Sequence, residues 1–445
     1  MEEFVQTVKG LLKAQEWQSL KALLAPKNPI DLASVFSEFT PAQRAVLFRL
    51  LEKQEAVEVF EGLPLEDQQE LLGSFKQEQL REIVEHMSPD DRAFFLGELP
   101  AKVAKKLLAL LTPEERAATA LLLGYEEDSA GRIMTPEYID LKSFVTVAQA
   151  LEKIRRVGLD KETVYYCYVI DEERRLIGIA SLRQLVLADP GVQVADLMEQ
   201  DIIFAHTDED QEEVAHKIQK YDLLALPVVD REYRLVGIVT HDDIIDIIQE
   251  EVTEDIYRLG ALEVPEQNYF KSRIMAVASH RLLWLLVLLF ANTITGNIIL
   301  HYSGLLESVI ALAAFVPLLI GSGGNIGSQT STVFVRGLAL KEITAKNASR
   351  LIIREVGVGL LLGSLMGLLV VIWAFWLQGN WWVAVAVGLS LVLISTLATF
   401  FGSIWPLIFR RIGLDPAMVS APFISTLVDI LGALTYFWVA SLILS

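Results

Sequence analysis

The sequence predicts a multi-domain membrane protein with a solenoid-like α-helical amino-terminal domain, a duplicated α/β module, a long connecting helix and a five-helix α transmembrane domain. The first observation is charge: of the 445 residues, the first 270 hold 28 Lys and Arg against 52 Asp and Glu, and the rest hold 10 against 5. The second is a motif that occurs twice near the middle. The third is five apolar runs near the carboxyl end, each long enough to cross a bilayer.

Composition excludes several classes of function. The net charge is −19, and an acidic chain repels nucleic acid, which argues against a nucleic-acid partner. A single cysteine, Cys167, excludes an internal disulfide framework and a cysteine-based zinc site. The first ten residues are acidic and lack an apolar core, so no signal peptide is expected.

Residues 1–130 are predicted to form short helices in tandem. Proline suits the first turn of a helix, and it recurs after a capping or turn position at Thr40-Pro41, Leu63-Pro64, Ser88-Pro89, Leu99-Pro100 and Thr112-Pro113. Starts about every dozen residues favour a small helical solenoid. An irregular helical bundle is the alternative, and either structure gives an acidic cytosolic domain.

Residues 131–195 and 196–255 contain an internal repeat. The segment from Tyr168 to Ser181 returns 59 residues later as Pro227 to Thr240, each copy being an apolar strand, a polar turn and a second strand with glycine. The pattern resembles a pair of CBS domains. That resemblance implies ATP or another adenine nucleotide as a ligand, with Ser181, Arg183, Thr240 and Asp243 as candidate contacts, although Gln184 replaces the expected acid in copy one.

Residues 241–272 are predicted to form the connecting helix. Asp243, Asp246, Glu250 and Glu254 share one helix face, where like charges three and four residues apart repel each other. Bound divalent cations would relieve this repulsion. The alternative is a solvated acidic face.

Residues 273–445 are predicted to span the membrane five times, at 282–300, 305–334, 356–377, 381–409 and 418–444. All ten Lys and Arg from residue 271 onward fall at one set of ends, which the positive-inside rule makes cytoplasmic: Lys271, Arg273, Arg281, Arg336, Lys341, Lys346, Arg350, Arg354, Arg410 and Arg411. The predicted location is therefore the cell (inner) membrane, with the amino terminus cytoplasmic and the carboxyl terminus extracytoplasmic.

Two features of these spans indicate an ion path. Asp429 is the only charge from Ala417 onward, and a carboxylate at bilayer depth normally faces water or a partner, here a proton or a metal cation. In the second span the run from Pro317 to Gln329 is rich in glycine and is expected to break the helix, so that freed carbonyls, Asn325 and Gln329 line the path. A neutral, hydrogen-bonded Asp429 and a glycine surface for tight helix packing are the alternatives.

The whole chain resembles the MgtE family of magnesium channels. The most specific motifs are Gly323-Gly-Asn-Ile-Gly-Ser-Gln329 after Pro317, Ser425-Thr-Leu-Val-Asp429, and Tyr125 to Gly131 leading into Met134-Thr-Pro136. The resemblance implies a homodimer in the membrane lipid that conducts Mg²⁺ through a pore with Asp429 and Asn325, and a further ion at Asp415. It also implies closure by cytosolic Mg²⁺ bound at Glu58, Asp90, Glu212, Asp222, Asp243, Asp246, Glu251, Glu254 and Asp255.

Other functions compete with this interpretation. A proton-coupled or less selective carrier of Co²⁺ or Mn²⁺ would also use a lone intramembrane carboxylate. A membrane-anchored, nucleotide-sensing regulatory protein would use the duplicated module. No catalytic constellation stands out, since the six histidines are scattered and no phosphate-binding loop occurs, so an enzyme is not expected.

Overall fold

The protein is described by a computed structural model that covers residues 2–75, 77–262, 274–419 and 421–444. It contains two compact units, Met1–Glu250 and Glu251–Ser445. Lys271, Arg273 and the end of the predicted connecting helix lie outside the described residues.

Short helices fill the amino-terminal part of the first unit, as predicted. They are α1 (Glu2–Ala14), α2 (Trp17–Leu24), α3 (Pro29–Phe36), α4 (Pro41–Phe48), α5 (Lys53–Glu61), α6 (Leu65–Leu72), α7 (Gln77–His86), α8 (Pro89–Gly97), α9 (Ala101–Leu108) and α10 (Pro113–Leu122). Thr40, Ser88 and Thr112 cap α4, α8 and α10, and a proline follows each cap in the first turn. Pro64 and Pro100 instead stand one residue before their helices.

A repeat of helix pairs underlies this domain. Positions 44, 68, 92 and 116 lie 24 residues apart, and each carries a side chain that donates a hydrogen bond to the carbonyl eight residues earlier. Arginine fills three of these positions, whereas Gln68 fills the second. Because the same hydrogen bond joins successive helices at the same point of every pair, the domain is a solenoid and not an irregular bundle.

The duplicated module follows with two matching three-stranded sheets. Its elements are α11 (Ala130–Ile133), β1 (Ile139–Lys142), α12 (Val147–Val157), β2 (Tyr166–Ile170), β3 (Leu176–Ser181), α13 (Leu182–Leu187), β4 (Ala205–His206), α14 (Gln211–Tyr221), β5 (Ala225–Val229) and β6 (Leu235–Thr240). In each sheet the first strand is parallel to the second, which is antiparallel to the third. Cys167 is buried in β2, as expected for a strand residue.

The two copies are joined by exchanged contacts. A Cβ on Gly237 in copy two would lie 2.6 Å from the sulfur of Met134, near the start of copy one, and a Cβ on Gly178 in copy one would meet Met198, near the start of copy two, in the same way. Glycine is needed at both positions because another segment packs directly on the strand. The contacts of Met134 and Met198 with these glycines therefore hold the two copies together.

The connecting helix begins at His241, as predicted. α15 (His241–Leu259) ends before Gly260, and Ala261 has a φ of 56° in the turn that follows. The predicted extent of the connecting segment to residue 272 lies partly outside the described residues and stays a prediction. Ile244 and Ile247 are buried, and the boundary between the two units falls inside this helix.

The second unit confirms the five predicted membrane helices among the described residues. Its helices are α16 (Ile274–His301), α17 (Ser303–Ser308), α18 (Val316–Ala339), α19 (Ala348–Gln378), α20 (Trp381–Arg411) and α21 (Ala421–Leu444). The expected helix break at the glycine run is wrong, because α18 continues through it. The irregularity lies earlier, in a 3₁₀ segment at Ile310–Phe315, and Pro317 stands in the first turn of α18.

The glycines of α18 serve close packing. A Cβ on Gly323 would lie 2.6 Å from Ile394 of α20 and 2.9 Å from Val428 of α21, and one on Gly327 would lie 2.9 Å from Ile424. Close approach of backbones is the usual reason for small residues between membrane helices. The packing alternative is therefore what the structure contains, and it brings α18 against the part of α21 that carries Asp429.

Candidate ion path and acidic clusters

Asp429 lies in α21 where this helix meets the glycines of α18. A Cβ added to Gly324 would lie 2.5 Å from Oγ of Ser425 and 3.6 Å from Oδ1 of Asp429. Among the described residues none forms a hydrogen bond or an ion pair with the Asp429 carboxylate. The carboxylate is therefore available to a ligand in an apolar helix bundle, where an unpaired charge is costly.

A polar face of α18 begins beside this carboxylate. Gly321, Asn325, Gln329, Thr332 and Arg336 are all exposed, at helical spacings of three and four residues. The side chains of Asn325 and Gln329 have no hydrogen-bond partner among the described residues. Polar groups at membrane depth are tolerated where they meet water or protein, so this face can border an aqueous path or another subunit. Asn325 and Asp429 are thus on neighbouring helices of the candidate path.

Asp90 is the centre of an acidic cluster in the first unit, the Asp90 cluster, which comprises Glu61, Asp90, Asp91, Glu162 and Asp243. One oxygen of Asp90 is buried and has no hydrogen-bond partner in the described structure. Burial raises the pKa of Asp90 to about 7, and the charges of Asp91 and Glu162 add to the effect. Burial also raises the pKa of Asp243 to about 7, with Asp90 as the next contributor. An oxygen-rich, poorly solvated set of this kind suits a hard divalent cation.

Three members of the Asp90 cluster were missed from the sequence. Burial and the charge of Asp91 raise the pKa of Glu61 to about 8, and burial and the charge of Asp243 raise that of Glu162 to about 7. Asp91 follows the predicted Asp90 directly, and Glu61 lies one turn after Glu58 on α5. Glu162 lies between α12 and β2, where no periodicity points to it. Only long-range folding brings it to the cluster.

The predicted Glu58 is exposed and borders the cluster from outside. Its charge is the smallest contribution to the raised pKa of Glu61. It lines a surface cavity of about 380 Å³ together with Glu52, Glu55 and Lys21. Asp246 faces the cluster as well. Burial is the main cause of the raised pKa of Asp91, and the charge of Asp246 adds to it.

Two other predicted sensor residues stand at opposite ends of α14. Glu212 is in the first turn of α14 and Asp222 is its left-handed C-cap, with a φ of 54°. Ten residues of α-helix separate them by about 15 Å, so they do not share one ion. Among the described residues no three His, Cys, Asp or Glu side chains are already arranged to hold a metal ion.

Asp415 belongs to a second acidic group at the carboxyl-terminal half of α15. Its carboxylate pairs with Arg258, which also pairs with Glu254. Burial raises the pKa of Asp255, and the charge of Asp415 adds to this effect. Glu251 lies one turn before Asp255 on α15. Asp415 is thus grouped with these residues of α15 and not with Asp429.

Two of the four candidate nucleotide contacts share a cavity. Ser181 and Arg183 line a cavity of about 540 Å³ with Tyr165, Tyr166 and Leu224. Thr240 instead donates to Asp243 at 2.5 Å at the start of α15, and neither lines this cavity. The aromatic rings and the arginine offer a stacking surface and a cation, which suits a nucleotide.

Family models match three parts of the chain. Residues 27–128 match the MgtE intracellular N domain, residues 130–191 and 194–250 match the CBS domain, and residues 316–439 match a divalent cation transporter model. The chain is 41% identical to the magnesium transporter MgtE of Thermus thermophilus over 446 aligned residues, covering 100% of this chain and 99% of that protein. It is 35% identical to the magnesium transporter MgtE of Bacillus subtilis, with 99% and 97% covered.

Solved structures agree with this relationship. The cytosolic domain of the Mg²⁺ channel MgtE in complex with ATP matches with a TM-score of 0.53 and 41% identity, covering 55% of this chain and 99% of that one. The soluble part of a magnesium transporter matches with a TM-score of 0.52 and 32% identity, covering 56% and 99%. The chain therefore belongs to the MgtE family of magnesium transporters.

Proposed function

We propose that this protein is a Mg²⁺ channel of the cell membrane that lets Mg²⁺ enter the cell and closes when cytosolic Mg²⁺ binds. The observation that supports conduction is the Asp429 carboxylate, which has no partner in the described structure and stands beside Gly324, the residue before the exposed Asn325. Mg²⁺ sheds its water slowly, so a pore would hold it through its hydration shell with few carboxylates.

A homodimer would complete this path. Two copies related by a twofold axis present two Asp429 carboxylates to one divalent ion. The inside-negative potential then drives entry with about 4.6 kcal/mol per 100 mV for two charges. The exposed polar face of α18 supports such an arrangement, since it would meet its counterpart or water and not lipid.

Asp429→Asn tests conduction. The purified variant in liposomes is expected to lose Mg²⁺ flux, because the amide cannot attract the cation, while the protein still folds and elutes as the wild type does. Glu307→Gln is the control, since it removes an exposed acid of the membrane unit that lies outside α21, and it should conduct normally. Normal flux through Asp429→Asn refutes the pore role. Flux that follows the pH gradient would favour a proton-coupled carrier.

Closure is assigned to the Asp90 cluster and to the acids of α15. The support is the unpaired buried oxygen of Asp90 and the pKa of Asp243, which burial and then the charge of Asp90 raise, so both carboxylates are costly to ionise without a cation. A ligand shifts a gate only if it prefers one state. Mg²⁺ would prefer the state in which these acids are closest.

Gating is tested with the double variant Asp90→Asn, Asp243→Asn. We expect closure by cytosolic Mg²⁺ to require a higher concentration in patch recordings, with conduction retained. The control is Glu152→Gln, which neutralises an exposed acid on α12 of the same unit. Inhibition that is unchanged in the double variant contradicts the assignment.

The remaining organisation is proposed on the sequence. Residues 1–130, 131–195, 196–255 and 273–445 form the N-domain, the two CBS domains and the transmembrane domain, with the connecting segment at 241–272. The basic residues at one set of span ends favour a cytoplasmic amino terminus and an extracytoplasmic carboxyl terminus.

Adenine nucleotide is the proposed ligand of the 540 Å³ cavity. The support is its lining by two tyrosines and Arg183, and the ATP complex of a related cytosolic domain. Arg183→Gln should weaken ATP binding measured by calorimetry, because a phosphate loses its cation. Equal affinity of the variant and the wild type would exclude this cavity.

A further inference from the structure

Arg258 joins two parts of the membrane unit that are far apart in the chain. It lies in the last turn of α15, and its guanidinium pairs with Glu254 on the same helix and with Asp415 after α20. The second Asp415 oxygen accepts the N–H of Ala417 at 2.8 Å. Both carboxylate oxygens of Asp415 are therefore occupied by groups of the protein itself.

The segment that follows Asp415 is fixed to α18. Oγ of Ser331 donates to the carbonyl of Val419 at 3.3 Å, and Oγ of Ser328 donates to the carbonyl of Ala421 at 3.2 Å. Val419 is fully buried. Ala421 begins α21, the helix that carries Asp429. Asp415 therefore precedes a segment that is bonded to α18 and leads into α21, the two helices of the candidate path.

Charge explains why an arginine is needed at this point. Glu254 on α15 and Asp415 on the loop repel each other, and Asp255 adds a third carboxylate. A planar guanidinium can donate to two carboxylates at once, which a lysine ammonium does with poorer geometry. Without Arg258, the end of α15 would be driven away from the segment that leads into α21.

We propose that Arg258 is the positioning residue that couples the connecting helix to the pore, through Asp415. The ion pair holds the carboxyl-terminal end of α15 against the segment before α21 and so favours the closed pore. This inference rests on the proposed closure by cytosolic Mg²⁺. Arg258 does not contact the conducted ion, so its loss changes the Mg²⁺ concentration needed for closure and not the current through an open pore.

The test uses full-length protein in liposome patches with Mg²⁺ on the cytosolic side. Arg258→Gln is expected to raise the Mg²⁺ concentration for half closure about two- to fivefold, the range that a partly exposed ion pair supports. Arg411→Gln is the matched control, because this arginine is exposed at the end of α20 and has no ion pair in the described structure. It should close like the wild type.

Asp415→Asn provides an independent arm, since asparagine keeps the acceptor for the N–H of Ala417 and loses the charge. It should shift closure as Arg258→Gln does, and the double variant should shift no further. Arg258→Lys should restore part of the wild-type response. Wild-type closure in Arg258→Gln, or shifts that add in the double variant, overturns the proposal. Wild-type protein that fails to conduct or close contradicts the proposed function instead.

Discussion

Asp90→Asn should stabilise the first unit at alkaline pH and weaken its response to Mg²⁺. The pKa of Asp90 is raised from 3.8 to about 7 by burial and by neighbouring acids. At a pH between these two pKa values, Asp90 keeps its proton in the folded chain and has lost it in the unfolded chain. The free energy of unfolding therefore falls as the pH rises through this range, and the full cost is present above about pH 7.

The magnitude follows from the size of this shift. About three pKa units correspond to at most about 4 kcal/mol, and relaxation around the charged carboxylate reduces the cost toward about 2 kcal/mol. Asparagine has nearly the same shape and no charge. At about pH 8 without Mg²⁺ the variant should thus be about 2–4 kcal/mol more stable than the wild type, whereas at about pH 4 the two should be similar.

The assay is urea unfolding of a fragment of residues 1–262, which avoids the multi-step unfolding of a whole membrane protein. Wild-type protein should gain stability when Mg²⁺ is added at alkaline pH, and Asp90→Asn should gain less. Glu152→Gln removes an exposed acid and should follow the wild type. Wild-type stability that rises from about pH 4 to about pH 7 without Mg²⁺, or equal stabilisation of both proteins by Mg²⁺, would refute the reasoning.

Two further predictions concern packing. In Gly402→Ala the new Cβ would lie 2.6 Å from the carbonyl oxygen of Gly327, so α18 and α20 must separate at a cost of about 1–3 kcal/mol. The variant should therefore have a lower melting temperature in detergent. Gly357→Ala is the control, because open space surrounds Gly357, and it should melt like the wild type. Arg92→Lys should lower the free energy of unfolding by about 2–4 kcal/mol in urea unfolding of the same fragment. The buried arginine donates to the carbonyl of Val84, and a lysine, which has fewer N–H donors, would leave buried acceptors unpaired. Arg116→Lys at the equivalent, exposed position of the last repeat should cost less, and equal losses would contradict this account.

Much of the architecture could be predicted because its signals are local. Proline after a capping residue predicted the starts of α4, α8 and α10, and the repeat of 59 residues predicted both sheets. The five spans followed from the length of the apolar runs. The sequence left the solenoid and the irregular bundle both open. The 24-residue period is hidden in the sequence because Gln68 takes the place of an arginine, and the hydrogen bonds make it visible.

The sequence alone determined that one carboxylate, Asp429, lies within an apolar span, since hydropathy and charge are properties of the residues in order. Tertiary structure decided which groups meet: Glu162 joins Asp90, Asp415 pairs with Arg258, and the glycines of α18 pack against α20 and α21 instead of breaking the helix. These outcomes depend on contacts between residues tens to hundreds of positions apart, and the free energies of burial and charge pairing that select them arise only when the chain has folded.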